Sequence, residues 1–177
     1  MIRLATRAAA AGAIFSALAS PAFAHITLET GSAPVGSSYK AVLRVPHGCD
    51  GQPTTAITVK VPEGFISAKP MPKPGWTLQI TTGTYASTYK LYGAEVTSGA
   101  TEISWSGGAL PDNEYDEFVV RGTLADSLKP GETLYFPVLQ NCGDKEEAWI
   151  AIPAAGQTEP ETPAPGLKLT PAVSGDD

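Results

Sequence analysis

With 177 residues the chain is too short for two large domains, and its 18 acidic against 12 basic side chains give a net charge of −6. That balance argues against binding nucleic acid or anionic lipid through bulk charge, and no stretch forms a basic patch. Only two cysteines and two histidines are present, so a metal site has few soft or nitrogen donors to draw on.

The chain opens with Arg3 and Arg7, an apolar alanine-rich run from Ala8 through Ala19, then Ser20, Pro21 and the small-residue ending Ala22-Phe23-Ala24. A charged start, a short apolar core and a small-residue cleavage site are the three parts of a secretory signal. The apolar run is shorter than the roughly 20 residues a membrane span needs. Residues 1–24 are therefore expected to be removed on export to the periplasm, which leaves His25 as the N-terminal residue and makes the exported chain more acidic still.

From there the pattern is one of short strands. Tyr39 to Val45 and Thr55 to Val61 alternate apolar and polar residues with many β-branched side chains, the period-two signature of half-buried strands. Further strands are predicted over Trp76 to Thr82, Ser87 to Tyr92, Glu102 to Trp105, Glu117 to Leu124, Thr133 to Leu139 and Ala148 to Ile152. Turn signals such as Pro62-Glu63-Gly64, Pro74-Gly75, Pro111-Asp112-Asn113 and Pro130-Gly131 separate them. About seven to nine strands with no sustained helical period predict an all-β fold, an antiparallel β-sandwich of immunoglobulin-like or cupredoxin-like layout. The domain is predicted over residues 25–153. Residues 154–177, polar and proline-rich, read as a tail in which residues 166–170 form at most a short edge strand and Ser174 to Asp177 are mobile.

Cys49 and Cys142, an isolated pair in an oxidising compartment, are most simply a disulfide. A two-thiolate metal site would need them reduced where disulfides persist.

A histidine at a free N-terminus offers two donors from one residue, because the α-amine and the imidazole Nδ1 close a chelate ring on the same ion. The amine has an ordinary pKa of about 7.7 to 8.0, so a divalent metal displaces its proton near neutral pH. Two nitrogen donors favour tetragonal Cu(II) over zinc or magnesium, and the mature chain has only Met71 besides the paired cysteines to offer the sulfur that Cu(I) prefers. The bland alternative is that His25 merely follows the cleavage point.

The other histidine, His47, lies in the turn Val45-Pro46-His47-Gly48-Cys49-Asp50-Gly51, with Asp50 on the far side of Cys49. A bond from Cys49 to Cys142 staples this turn to the loop leading to Trp149, gathering His47, Asp50 and Trp149 into one neighbourhood. Each also has an ordinary reading: His47 and Asp50 as turn residues, Trp149 as packing at the sandwich rim. Alternation puts Trp149 on the face opposite Ile150 and Ile152, so if the isoleucines face the core the indole does not; an indole face near a bound cation would exclude water and attract it.

Several separated motifs occur in order: His25-Ile26-Thr27-Leu28 directly after the signal, the turn around His47 and Cys49, Lys69-Pro70-Met71-Pro72-Lys73-Pro74-Gly75-Trp76, Leu110-Pro111-Asp112, Tyr115-Asp116-Glu117-Phe118 and Gln140-Asn141-Cys142. Together they resemble the YcnI-like family of exported copper-binding domains. The resemblance implies a β-sandwich whose N-terminal histidine binds Cu(II) through amine and imidazole, a single-histidine brace, with a loop carboxylate and a nearby tryptophan. His25 and Trp149 match directly. The family places a glutamate in the turn that here reads His47-Gly48-Cys49-Asp50, so Asp50 or His47 stands in its place. Copper handling is implied, with PCuAC-type chaperones or CopC-like carriers as partners, and no catalysis.

Two other functions are compatible with parts of the pattern. An oxidative copper enzyme of the histidine-brace type would use His25 with His47, yet the aromatic residues needed for a substrate platform, Trp76, Trp105 and Tyr115 among them, are as well explained as core and rim. A metal-free adhesive or assembly sandwich is the other, since the fold alone decides nothing.

Overall fold

Along the strand Ser38–Val45, Tyr39, Ala41, Leu43 and Val45 are buried while Lys40 and Arg44 face solvent, with Val42 the one buried residue on the outer side. This is the one-sided burial of an antiparallel sheet covered on one face. The computed structural model describes residues 25–154, 156 and 158–173. The expected signal, residues 1–24, and the expected mobile end, residues 174–177, lie outside them.

In chain order the strands are β1 (Thr27–Leu28), β2 (Ser32–Pro34), β3 (Ser38–Val45), β4 (Thr54–Lys60), β5 (Phe65–Pro70), β6 (Thr77–Leu91), β7 (Ala94–Leu110), β8 (Asp116–Leu124), β9 (Thr133–Tyr135), β10 (Val138–Cys142), β11 (Lys145–Trp149) and β12 (Gly166–Thr170). They form a four-stranded sheet β1-β3-β8-β5, a five-stranded sheet β11-β10-β4-β7-β6 and a three-stranded sheet β2-β12-β9. The expected all-β sandwich is the fold. No helix occurs among the described residues, and so none that is long and apolar enough to cross a membrane.

The two larger sheets share one core. Trp105 of β7 meets Phe118 of β8 edge-on at 5.4 Å, Phe118 also meets Trp76 at 5.0 Å, and Phe65 of β5 meets Phe136 at 5.4 Å. Such tilted pairs favour the aromatic quadrupole beyond the area they bury. Trp105, whose Nε1–H would be orphaned in that core, donates to the Met71 carbonyl at 3.1 Å.

Several strands differ from the predicted pattern. The two predicted strands before and after Thr84 are one long β6, paired with β7 across a register irregularity between Thr84 and Tyr89. Tyr92 and Gly93 both take positive φ, 51° and 82°, and close the hairpin between the paired Leu91 and Ala94, the geometry of a two-residue type I′ turn. Thr133 to Leu139 breaks in two at Phe136-Pro137, for a proline cannot continue a hydrogen-bonded ladder. Its first part, β9, joins the small sheet.

The C-terminal segment departs most from expectation. Strand β12 is the middle strand of its sheet, parallel to β2 and antiparallel to β9, rather than an edge. Leu167 and Leu169 are buried, as are Pro163, Ala164 and Pro165. The folded unit therefore runs to Thr170 and does not stop at 153. Lys168 outward between two inward leucines is the signal, set in a proline-rich context that reads as tail.

Candidate metal centre

His25 precedes β1, whose register pairs Thr27 with Arg44 and Leu28 with Leu43. Ile26 and Leu28 turn inward and anchor the segment, so His25 and Thr27 are left toward the surface. The His25 side chain is 35% exposed. It borders a cavity of about 290 Å³ together with Thr133, Tyr135, Glu159, Pro163 and Gly166.

The His25 imidazole lies against Trp149, ring centroids 5.8 Å apart and planes tilted by 59°. Trp149 ends β11 and is buried, whereas Ile150 and Ile152 are 51% and 64% exposed. The alternation is as expected, but the faces are the reverse of the ones that would leave the indole outward: the tryptophan takes the core side and the isoleucines the solvent. The indole still reaches His25, because the histidine sits over the rim of that core.

Behind Trp149 is a polar network that the motif reading did not single out. The Trp149 Nε1–H donates to Gln140 Oε1 at 2.9 Å, and Gln140 Nε2 donates to the His47 carbonyl and to Thr54 Oγ1, each at 2.8 Å. An indole nitrogen only donates and a carbonyl only accepts, so the orientation of the Gln140 amide is fixed by its neighbours. Gln140 and Thr54 are completely buried. The fit follows from register: Val138 faces Trp149 in the β10 and β11 pairing, which sets Gln140 diagonally beside it on the same face. In β4 a register irregularity between Thr54 and Ala56 changes the parity, so Thr54 turns inward along with Ile57 and Val59. A glutamine at an inward position between Val138 and Cys142 was the available signal.

Cys49 and Cys142 form the expected disulfide, with Cα atoms 5.7 Å apart. Thr54 Oγ1 lies 3.8 Å from Cys142 Sγ, so the covalent link and the polar network are contiguous.

The turn itself is a tight one. Asp50 and Gly51 both have positive φ, 48° and 80°, and Cys49 and Gln52 exchange backbone hydrogen bonds across them at 2.9 and 3.0 Å, the type I′ geometry that an Asp-Gly pair favours. Asp50 projects outward and accepts a hydrogen bond from Lys145 Nζ at 2.7 Å. That hydrogen bond and the ammonium charge hold its carboxyl below the usual carboxylate range. The His47 Nδ1–H is directed at the Gly48 carbonyl, 2.5 Å away. It is the backbone of His47 that enters the network behind Trp149.

A carboxylate beside the His25 ring comes from elsewhere: Glu159 Oε1 lies 3.9 Å from His25 Nδ1. Among the described residues no three His, Cys, Asp or Glu side chains are arranged to hold a metal. A terminal histidine does not need three, since one residue supplies two nitrogen donors and one carboxylate completes a three-donor set. The structure thus joins His25, Trp149 and the His47 backbone in one site and directs Asp50 to Lys145.

No curated protein matches the chain. Among solved structures it is similar to an uncharacterized protein from Nocardia farcinica whose crystal structure reveals an immunoglobulin-like fold, at 32% identity and a TM-score of 0.62, over 82% of this chain and 98% of that one. Residues 25–169 match the family described as a domain of unknown function, DUF1775, and the chain belongs to that family.

Proposed function

We propose that the protein is an exported Cu(II)-binding domain that holds the ion through the amine and imidazole of His25 and serves copper homeostasis or copper transfer, without catalysis. The observation that carries this is the partly exposed imidazole of residue 25 set against an indole at 5.8 Å with a carboxylate oxygen 3.9 Å from its Nδ1. Three kinds of group useful to a bound cation meet there: a nitrogen donor, an anionic oxygen and an aromatic face.

Two further facts support the reading. The family match begins at residue 25, the residue that signal removal would make N-terminal. The disulfide suits an oxidising compartment such as the periplasm. It also withdraws both cysteines from metal binding, which leaves a nitrogen and oxygen donor set suited to Cu(II). The exposure of His25 suits exchange with other exported copper proteins, of the PCuAC-type chaperone or CopC-like carrier kind.

Titration of the mature protein, beginning at His25, with Cu(II) under paramagnetic resonance tests this. One equivalent should bind with nitrogen hyperfine structure, and His25→Ala should remove it. Equal binding and an identical spectrum in the His25→Ala protein would refute the site.

A further inference from the structure

Resting on that copper reading, we infer that Glu159 is the carboxylate that faces His25 across the ion, in place of Asp50 or His47 of the turn. The separation of 3.9 Å between His25 Nδ1 and Glu159 Oε1 is too long for a hydrogen bond. The gap would admit a first-row divalent ion bound to each donor at about 2 Å. As a bare ion pair at the surface, with the Glu159 side chain 67% exposed, the same contact contributes little to stability.

Glu159 is brought there by a segment that the rest of the fold holds at both ends. Trp149 ends β11, and two residues on Ala151 forms a parallel bridge with Pro163. The Ala151 N–H donates to the Thr162 carbonyl at 3.2 Å, and the Ala164 N–H donates to the Ala151 carbonyl at 2.8 Å. Pro163 to Pro165 are buried and lead directly into β12. Glu159 lies between these ties and beside His25, as Trp149 lies just before them, so the indole and the carboxylate stand about the same imidazole. Asp50, by contrast, is bound to Lys145 at 2.7 Å and would have to give up a charge-assisted hydrogen bond to reach a metal. On this reading copper ties the first residue of the mature chain to the C-terminal strap.

The test uses mature protein with the native His25 start, in four forms besides wild type: Glu159→Gln, Glu161→Gln, Asp50→Asn and His25→Ala. Removing an outer-shell group typically costs ten- to a hundredfold in metal affinity, so loss of a direct ligand should cost at least about tenfold. Glu159→Gln should weaken Cu(II) by that factor and change the copper hyperfine splitting. Glu161→Gln and Asp50→Asn should do neither. Hydrogen exchange gives an independent readout: copper should protect the amides of Glu161, Thr162 and Ala164 in wild type and fail to do so in Glu159→Gln. If Glu159→Gln binds and protects as wild type does while His25→Ala abolishes binding, the Glu159 assignment is overturned and the copper site at His25 stands. If His25→Ala also binds as wild type does, both fall.

Discussion

The two sides of Trp149 are built differently. Behind it, Gln140 and Thr54 are completely buried, every polar atom of the Gln140 amide is paired, and a disulfide lies alongside. In front of it, His25 and Glu159 are partly exposed and stand 3.9 Å apart without a hydrogen bond between them. The contrast is what a binding site for an exchangeable ion requires. The rear sets the position of the indole and the turn, and the front keeps its donors accessible. Rigidity and accessibility are thereby assigned to different residues, so mutations should separate stability from copper affinity.

The largest stability loss should come from the rear. Replacing Cys49 and Cys142 together by serine removes a link between residues 93 apart in sequence and should cost about 2 to 5 kcal/mol in denaturant unfolding. Gln140→Leu comes next. It leaves the Trp149 indole N–H without its acceptor and the His47 carbonyl with only the longer bond from Thr54, and a buried orphan costs about 1 to 3 kcal/mol. A loss below about 0.5 kcal/mol would mean that water or rearrangement replaces the network. Trp149→Phe is the variant that touches both sides. It leaves the buried Gln140 Oε1 without its donor, about 1 to 3 kcal/mol of stability, and should weaken Cu(II) about two- to tenfold through the smaller aromatic face.

The predicted strands β3, β4 and β8, the disulfide and the turn carrying His47 and Asp50 were legible in the sequence because each rests on a local signal: alternation, an isolated cysteine pair, an Asp-Gly step. The orientation of Trp149 was not. Alternation sets it opposite Ile150 and Ile152 but does not say which face meets the core, and that is decided by the pairing of β11 with β10, where Val138 lies opposite the tryptophan. Glu159 was hidden for a different reason. Its neighbours Pro160, Pro163 and Pro165 read as a linker, and only the burial of Leu167 and Leu169 between β2 and β9 draws the segment back past His25. A long-range strand pairing leaves no mark at the residue it delivers.

A smaller effect lies away from both sides of the tryptophan. Tyr39 and Tyr89 are each pushed up to about 12, chiefly by burial, Tyr89 also by its hydrogen bond to Glu63. Because the folded state holds these protons above the ordinary value near 10, the stability they contribute is intact below pH 10 and is lost as pH rises toward 12. Denaturant midpoints should fall across that window, and Tyr89→Phe should flatten the fall. The smallest effect should be that of Lys145→Met. It removes the partner of an exposed Asp50 and should leave the copper affinity unchanged.

The sharpest separation of front from rear is a single added residue. A glycine placed before His25 leaves the imidazole, Trp149, Gln140 and the disulfide intact and moves only the amine. If Cu(II) is held by the amine and Nδ1 of His25, the extended protein, whose terminal amine now reaches the ion only through the new amide nitrogen, should show a changed nitrogen hyperfine pattern, with the unfolding midpoint of the apo protein unaltered. The same spectrum as the native start would contradict it.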